Sequence, residues 1–327
     1  MITKQYGFIL EATSPVAHHE ESLGNISTFM RRKVRQRDGT WTRVCYVTGD
    51  TMRHGLREAA AYAFLDAAGL LSASLNEGAI RLLFSGGMIT GKGDASVVNM
   101  DRFREMCSLC PPLGLLGGCA DNRSIPGRLT VDEAMLICSE QDAYLPAWVK
   151  EHVSAQALGS QREHLEEVQR VRMDPSLDPA KRALMLPDAQ VEVSRRLGAS
   201  EAAHTADDAV AKDATKSTMM PRKFERLAQG SQFYWRVTCH CLSDLDVDTF
   251  HVMIGAFLSR CSVGGKKGTG HGQLRCVAAR DIQIARPKEQ ASVVDVSELG
   301  PRVGSLFFEH VKAHREQISQ WIQSINA

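Results

Sequence analysis

Five glycines fall in the nine residues from Gly264 to Gly272, in the stretch SVGGKKGTGHGQLRC, Ser262 to Cys276. Backbone amides unshielded by side chains can approach an anion closely, and two lysines beside them make phosphate the expected ligand. Two nucleotide-binding readings fail on context. A Walker loop needs Gly-Lys followed by Ser or Thr, between a strand and a helix, and this loop has no such triplet. A dinucleotide turn needs a helix N-terminus to receive the pyrophosphate, whereas the residues after Gly272 read as a strand. What remains is the sugar-phosphate backbone of a nucleic acid, met by Gly265, Lys266, Lys267, Gly270 and His271. The alternative is a long flexible hairpin with no ligand.

A second stretch, MRRKVRQRD, places Arg31, Arg32, Lys33, Arg35 and Arg37 within seven positions, with Arg43 close behind and Phe29 and Trp41 interleaved. A solvated charged face mixes signs, but this run is one-signed until Asp38, which favours a polyanion. A third, TGDTMRHGLR, reads as a helix start with Asp50 as N-cap. Free helix amides with Arg53, His54 and Arg57 on the polar side make Thr48, Gly49, Met52, Arg53 and Arg57 a candidate seat for a backbone phosphate. Taken alone, it also reads as an ordinary capped helix with solvated arginines.

Other chemistry is weakly signalled. His18 to Glu21, HHEE, has the composition of metal ligands, but adjacent loop residues rarely converge on one ion. Cys107 and Cys110 with Cys119 following lack the second pair of a zinc site. No Ser/His/Asp, Cys/His or paired-carboxylate arrangement stands out, so the sequence predicts no catalysis, no cofactor and no bound metal.

These residues need elements to position them. Gly7 to Ala12 reads as a strand ended by Ser14-Pro15, followed by a polar, irregular stretch and a short β run from Val44 to Val47. Met52, Leu56, Ala59, Ala60, Ala63, Phe64 and Ala67 recur at helical spacing, with Gly69 as the stop. Ala79 to Gly118 alternates apolar runs with Gly and Pro, and Gly127 to Cys138 reads as a strand or strand pair. Between Val149 and Lys223 there is no Phe, Trp or Tyr, so this segment reads as a projecting arm with little to bury. SQFYWRVTCHC then reads as an alternating strand, Val247 to Cys261 as a helix, Gln273 to Ala279 as the returning strand, and Leu306 to Ile325 as a terminal helix. Strand, helix, glycine loop and strand make half of a ferredoxin-like unit. The early strand and the helix after Thr51 supply the other half. The fold class expected is therefore α+β.

With 327 residues and a formal net charge of +1, the chain has ample material for a core and no uniformly basic coat, so a polyanion site must be local. Apolar runs stop short of membrane-spanning length and the N-terminus has no signal-peptide pattern, which together predict a cytoplasmic protein with no membrane partner. Nine cysteines scattered through such a chain read as reduced core thiols.

Five stretches in order resemble the RAMP superfamily of class 1 CRISPR effectors, specifically its crRNA-binding backbone subunit, the Cas-seven family, and most closely the type IV version. SPVAHH is similar to the family's opening loop, and TGDTMRHGLREAA to its helix start. CPPLGLLGG is similar to a C-P-x-x-x-L-F-G segment, MMPRKFERLAQGSQF to the segment closing the thumb insertion in type III relatives, and GGKKGTGHGQL to the C-terminal glycine-rich loop.

The resemblance implies an RRM or ferredoxin-like palm with an inserted fingers region and a projecting thumb. Residues 1–75 and 224–285 would be the palm halves, 76–148 fingers and palm strands, 149–223 the thumb, and 286–327 a tail with its helix. It implies partners: crRNA, target DNA or RNA paired to the guide, further copies of this chain stacked helically, and other type IV subunits. Met219 and Met220, at the closing edge of the thumb, become candidates for a wedge between nucleotides, with Arg222 and Lys223 beside them on the backbone. RNA-cleaving type III relatives carry an Asp in the loop after strand one, where NISTFMRR has Ser27, so a non-catalytic subunit is expected. Target-RNA cleavage in the type III manner, with Glu20 and Glu21 nearby, is the enzymatic alternative. A scaffold for acidic proteins is the alternative outside nucleic acids.

Overall fold

The computed structural model describes residues 2–23, 25–87, 100–120, 123–153, 158–172, 184, 186–192, 195, 220–285, 288–296, 299–300 and 305–325. They form two units. The first comprises Met1–His19, Phe29–Glu166 and Arg226–Ala327; the second comprises Glu20–Thr28 and Glu167–Glu225.

The strands, in chain order, are β1 (Ile2–Ala12), β2 (His19–Leu23), β3 (Ile26–Phe29), β4 (Arg31–Arg35), β5 (Trp41–Val47), β6 (Gly117–Ala120), β7 (Arg123–Pro126), β8 (Leu129–Val131), β9 (Ala134–Leu136), β10 (Leu165–Arg172), β11 (Met220–Leu227), β12 (Gln232–Cys241), β13 (Leu274–Ala285) and β14 (Lys288–Val293). The first unit is built on an eight-stranded sheet in the order β14-β13-β1-β12-β9-β5-β4, with β8 also on β12. The strand β1 lies antiparallel between β12 and β13, with Phe8 opposite Trp235 and Ala279.

Both faces of this sheet are covered, which explains why Gly7 to Leu10 is apolar without alternation. On one face Tyr6, Phe8 and Leu10 join Phe233, Trp235 and Val237 beneath two helices. These are α1 (Gly49–Ala67) and a second long helix, Asp244–Ser259. Met52, Leu56 and Ala60 of α1 and Phe250, Ile254 and Phe257 of the second helix enter this core. Trp235 stacks on Phe8 with centroids 5.3 Å apart, and its indole N–H donates to Asp132 O at 3.2 Å. On the opposite face Ile9, Tyr234 and Ala278 are covered by Leu145, Val149 and Val153. Truncating a fully buried aromatic here costs about 3–5 kcal/mol.

The strands from Ala134 to Leu136 and Gln232 to Cys241, and both long helices, match the elements read from sequence. Four differences have physical causes. The stretch before Val44, read as irregular, holds β2, β3 and β4, because charged side chains on the outer positions hide the period-2 signal. CPPLGLL, within the stretch read as apolar runs alternating with Gly and Pro, is the helix Pro111–Leu116, whose paired prolines occupy its first positions where no N–H is needed. The terminal helix is two helices, Leu306–Ala313 and Arg315–Ser324, broken at His314, with Phe307, Val311, Ile318 and Ile322 packed beside Phe64 and Leu65 of α1. Asp50 is not the N-cap of α1; Thr48 is, its hydroxyl accepting from Thr51 N–H at 3.3 Å.

The second unit contains a four-stranded sheet in the order β10-β11-β3-β2. There β11 runs parallel to β3, with Lys223 opposite Ile26 and Phe224 opposite Ser27. Phe224 is buried, and Arg170 lies 5.8 Å from its ring centroid. This unit starts later than the arm read from sequence, at Glu167 rather than Val149, and takes in Glu20–Thr28.

Candidate nucleic-acid interface

The basic run folds as a hairpin. In β4 and β5 the directly paired residues are Arg31 with Cys45, Arg32 with Val44, Lys33 with Arg43, Val34 with Thr42 and Arg35 with Trp41. Opposed residues share a face and successive residues alternate, so Arg31, Lys33, Arg35, Arg43 and Trp41 stand together. Arg32 turns to the other face with buried Val34 and Val44, pairs with Glu133, and lies 5.7 Å from the Tyr46 ring centroid. Burial lowers its pKa, partly offset by Tyr46 and Tyr144. The contiguous run of cations is therefore two groups: a tied arginine inside and a one-signed face outside, where Lys33, Arg35 and Arg43 are exposed.

The turn closing this hairpin uses up the one acid in it. Thr40 N–H and hydroxyl both donate to Asp38 Oδ1, at 2.9 and 2.7 Å, and hold the Asp38 carboxyl below its usual range. Gln36 N–H donates to Thr40 O at 2.8 Å, and Gly39 supplies the left-handed backbone the turn requires, at φ 86°. Gln161, itself buried, braces the other end: its Nε2 donates to Arg43 O at 2.6 Å and its Oε1 accepts from Cys45 N–H at 3.1 Å. The Tyr144 hydroxyl donates to Arg35 O.

The start of α1 does not present the seat expected of it. Met52 is fully buried in the core. Arg57 is 8 % exposed and donates through Nη2 to Leu116 O at 3.3 Å and Gly117 O at 3.1 Å. Arg53 donates to Leu129 O at 2.9 Å and to Leu116 O. Burial, and secondarily Arg53, pushes the Arg57 pKa down to about 10. Both guanidiniums bind the chain's own carbonyls, so Met52 and Arg57 are corrected from contact residues to structural ones. Thr48 and Gly49 remain at the helix start, where Gly49 lines an open cavity of about 620 Å³ with Asp132, Glu133, Tyr144, Tyr234 and Arg236. The two carboxylates there are matched by cations, Asp132 by Arg236 at 2.6 Å and Glu133 by Arg32. His18, read as a weak metal candidate, accepts from Thr48 N–H through Nε2 at 3.3 Å, and burial lowers its pKa.

The glycine loop has two kinds of glycine. Gly264 and Gly272, at φ 76° and 83°, sit where a side chain would strike backbone: an added Cβ would lie 2.3 Å from Ala17 O and 1.9 Å from Val263 O. They pin the base, where Gly265 N–H donates to Ala17 O at 2.7 Å and Gly272 N–H to Pro15 O at 2.8 Å. Around Gly268 and Gly270 nothing lies within 4 Å of an added Cβ. Lys266 adopts φ 60°, and Lys267 lies 3.6 Å from Glu58. His271 is 4 % exposed, with Thr269 at Nδ1 and Arg226 at Nε2, so it supports the loop from inside and is corrected from a surface contact. The base is a fixed support and the open tip carries the two lysines.

Among the residues of the second unit, Arg222 and Lys223 are exposed, and Lys223 pairs with Glu167 at 3.1 Å. Met219 lies outside the described residues, as does the Met220 side chain. The linear run from Arg31 to Arg37, with Arg43 close behind and Trp41 interleaved, reads as one set, and the hairpin register divides it. The missed signal is the period-2 register across the Asp38-Gly39 turn.

No family model matches this chain, and no curated protein does. Among solved structures it is similar to a chain of one titled "Type IV-B CRISPR Complex", with a TM-score of 0.50 and 15 % identity over 89 % of this chain and 96 % of that one. The two share a fold. Among the described residues no helix is long and apolar enough to cross a membrane.

Proposed function

We propose that this chain is a non-catalytic, crRNA-binding backbone subunit of a type IV CRISPR ribonucleoprotein. Copies stack helically along the guide and leave its bases free to pair with target nucleic acid, DNA in preference to RNA. The observation that carries the reading is a fold shared over nearly the whole of both chains with a component of a type IV-B CRISPR complex. The sheet order β13-β1-β12-β9, with α1 and the second long helix as connections, supports an RRM or ferredoxin-like palm. Lys33, Arg35 and Arg43 on one hairpin face, and Lys266 and Lys267 on an open glycine tip, suit a sugar-phosphate backbone held without reading its bases. Specificity then resides in the guide. Ser27, where cleaving relatives have Asp, supports the non-catalytic reading, since Ser cannot supply the charged metal-associated group.

The test is co-expression with a CRISPR array and partner subunits, followed by sequencing of the RNA that co-purifies. Array-derived RNA on the wild type, lost from a Lys33→Glu, Arg35→Glu variant, is the expected result. An RNA-free chain overturns it, and metal-dependent cleavage of target RNA would overturn the non-catalytic part.

A further inference from the structure

The described surface of the first unit carries an indole for which the fold has no use. Trp41 is 64 % exposed, at the tip of the β4–β5 hairpin, directly opposite Arg35. Among the described residues its ring belongs to none of the apolar clusters of the core. The ribbon beneath it is nonetheless held firmly. Gly39 N–H donates to Gln36 O at 3.0 Å within the turn, and Gln36 Nε2 donates to Glu140 O at 3.1 Å. The exposed Tyr144 ring is anchored beside it through its hydroxyl on Arg35 O.

We propose that Trp41 is a stacking platform for an unpaired base of a single-stranded nucleic acid, whose flanking phosphates meet Arg35 and Arg43. The proposal rests on the nucleic-acid reading above and adds to it a residue that takes a base. Charge complementarity selects the occupant: the strand positions sharing the Trp41 face hold Arg31, Lys33, Arg35 and Arg43 and no acid. Every base has a π-face, so an indole between cations binds a strand without reading its sequence. A duplex hides those faces within its own stack, so the site prefers a single strand.

The experiment measures binding of the full chain to two probes of equal length and charge, an oligouridine and an abasic ribose-phosphate strand, with Trp41→Ala and Trp41→Phe variants. Stacking predicts that Trp41→Ala weakens oligouridine binding about tenfold and leaves the abasic strand unaffected, while Trp41→Phe retains most of the affinity. Equal losses on both probes, or none on either, overturn the proposal. A Trp41→Ala variant that changes oligomeric state with both affinities intact also overturns it, in favour of a protein contact. A wild type that binds neither probe fails the nucleic-acid reading itself, a result distinct from a Trp41 effect that is absent on a chain that binds.

Discussion

Replacing Lys33, Arg35 and Arg43 together by Gln separates the hairpin face from the basic run as written in sequence. Each phosphate neutralised on a single strand contributes about 0.7 to the slope of log affinity against log salt. Three contacts give a slope of about 2. Between 50 and 200 mM salt, a fourfold change, those contacts account for a loss of about twentyfold in affinity for oligouridine. The triple variant should bind more weakly at low salt and show a slope shallower by about 2. Arg32→Gln should leave the slope unchanged, since Arg32 lies on the other face against Glu133 and Tyr46. Its effect should appear in stability, at about 1 kcal/mol. Fluorescence anisotropy across a salt series and thermal melts of both variants read these quantities. An Arg32→Gln variant that flattens the slope by as much as one of the outward cations would refute the assignment of faces.

Two further outcomes follow from the loop and the histidines. Gly272→Ala should destabilise the chain by about 1–3 kcal/mol, because an added Cβ would meet Val263 O at 1.9 Å. Gly268→Ala, which meets nothing within 4 Å, should leave the melting temperature unchanged and weaken RNA binding; equal melting effects would contradict the division into base and tip. His18, His164 and His310 are all lowered below the ordinary 6.5, with burial the main cause. The unfolded chain takes up protons near pH 6.5 while the folded chain does not, so stability is complete above that pH and falls as pH drops through the window below it. Melts at pH 7.5 and 5.5 should show the lower temperature at 5.5, with part of the difference removed by His18→Gln. A melting temperature that rises on acidification would contradict this.

The elements that bury a wide apolar face were legible in the sequence. Met52, Leu56, Ala60 and Phe64 recur at helical spacing because α1 packs against the sheet and the terminal helices, and QFYWRVTCHC alternates because Phe233, Trp235, Val237, Cys239 and Cys241 of β12 enter the helix-covered core. The hairpin was not legible, since only Val34 and Val44 mark its inner face amid cations. The same density of charge made Arg31 to Arg35 look like a single site, when strand alternation divides them. Arg53 and Arg57 misled for a different reason: a guanidinium donating to main-chain carbonyls has no local signature, because its partners Leu116, Gly117 and Leu129 lie some sixty to seventy-six residues away. The glycine loop was legible as a loop, but which glycines hold its base depends on Pro15 and Ala17 of another segment.

The central claim is that copies of this chain line a guide RNA. Native mass spectrometry of particles assembled on array transcripts with spacers of increasing length tests it most directly. The account predicts a mass that rises in steps of one 36.0 kDa chain as the spacer lengthens, with the RNA retained throughout. A mass that stays constant with spacer length, or particles without RNA, would contradict it.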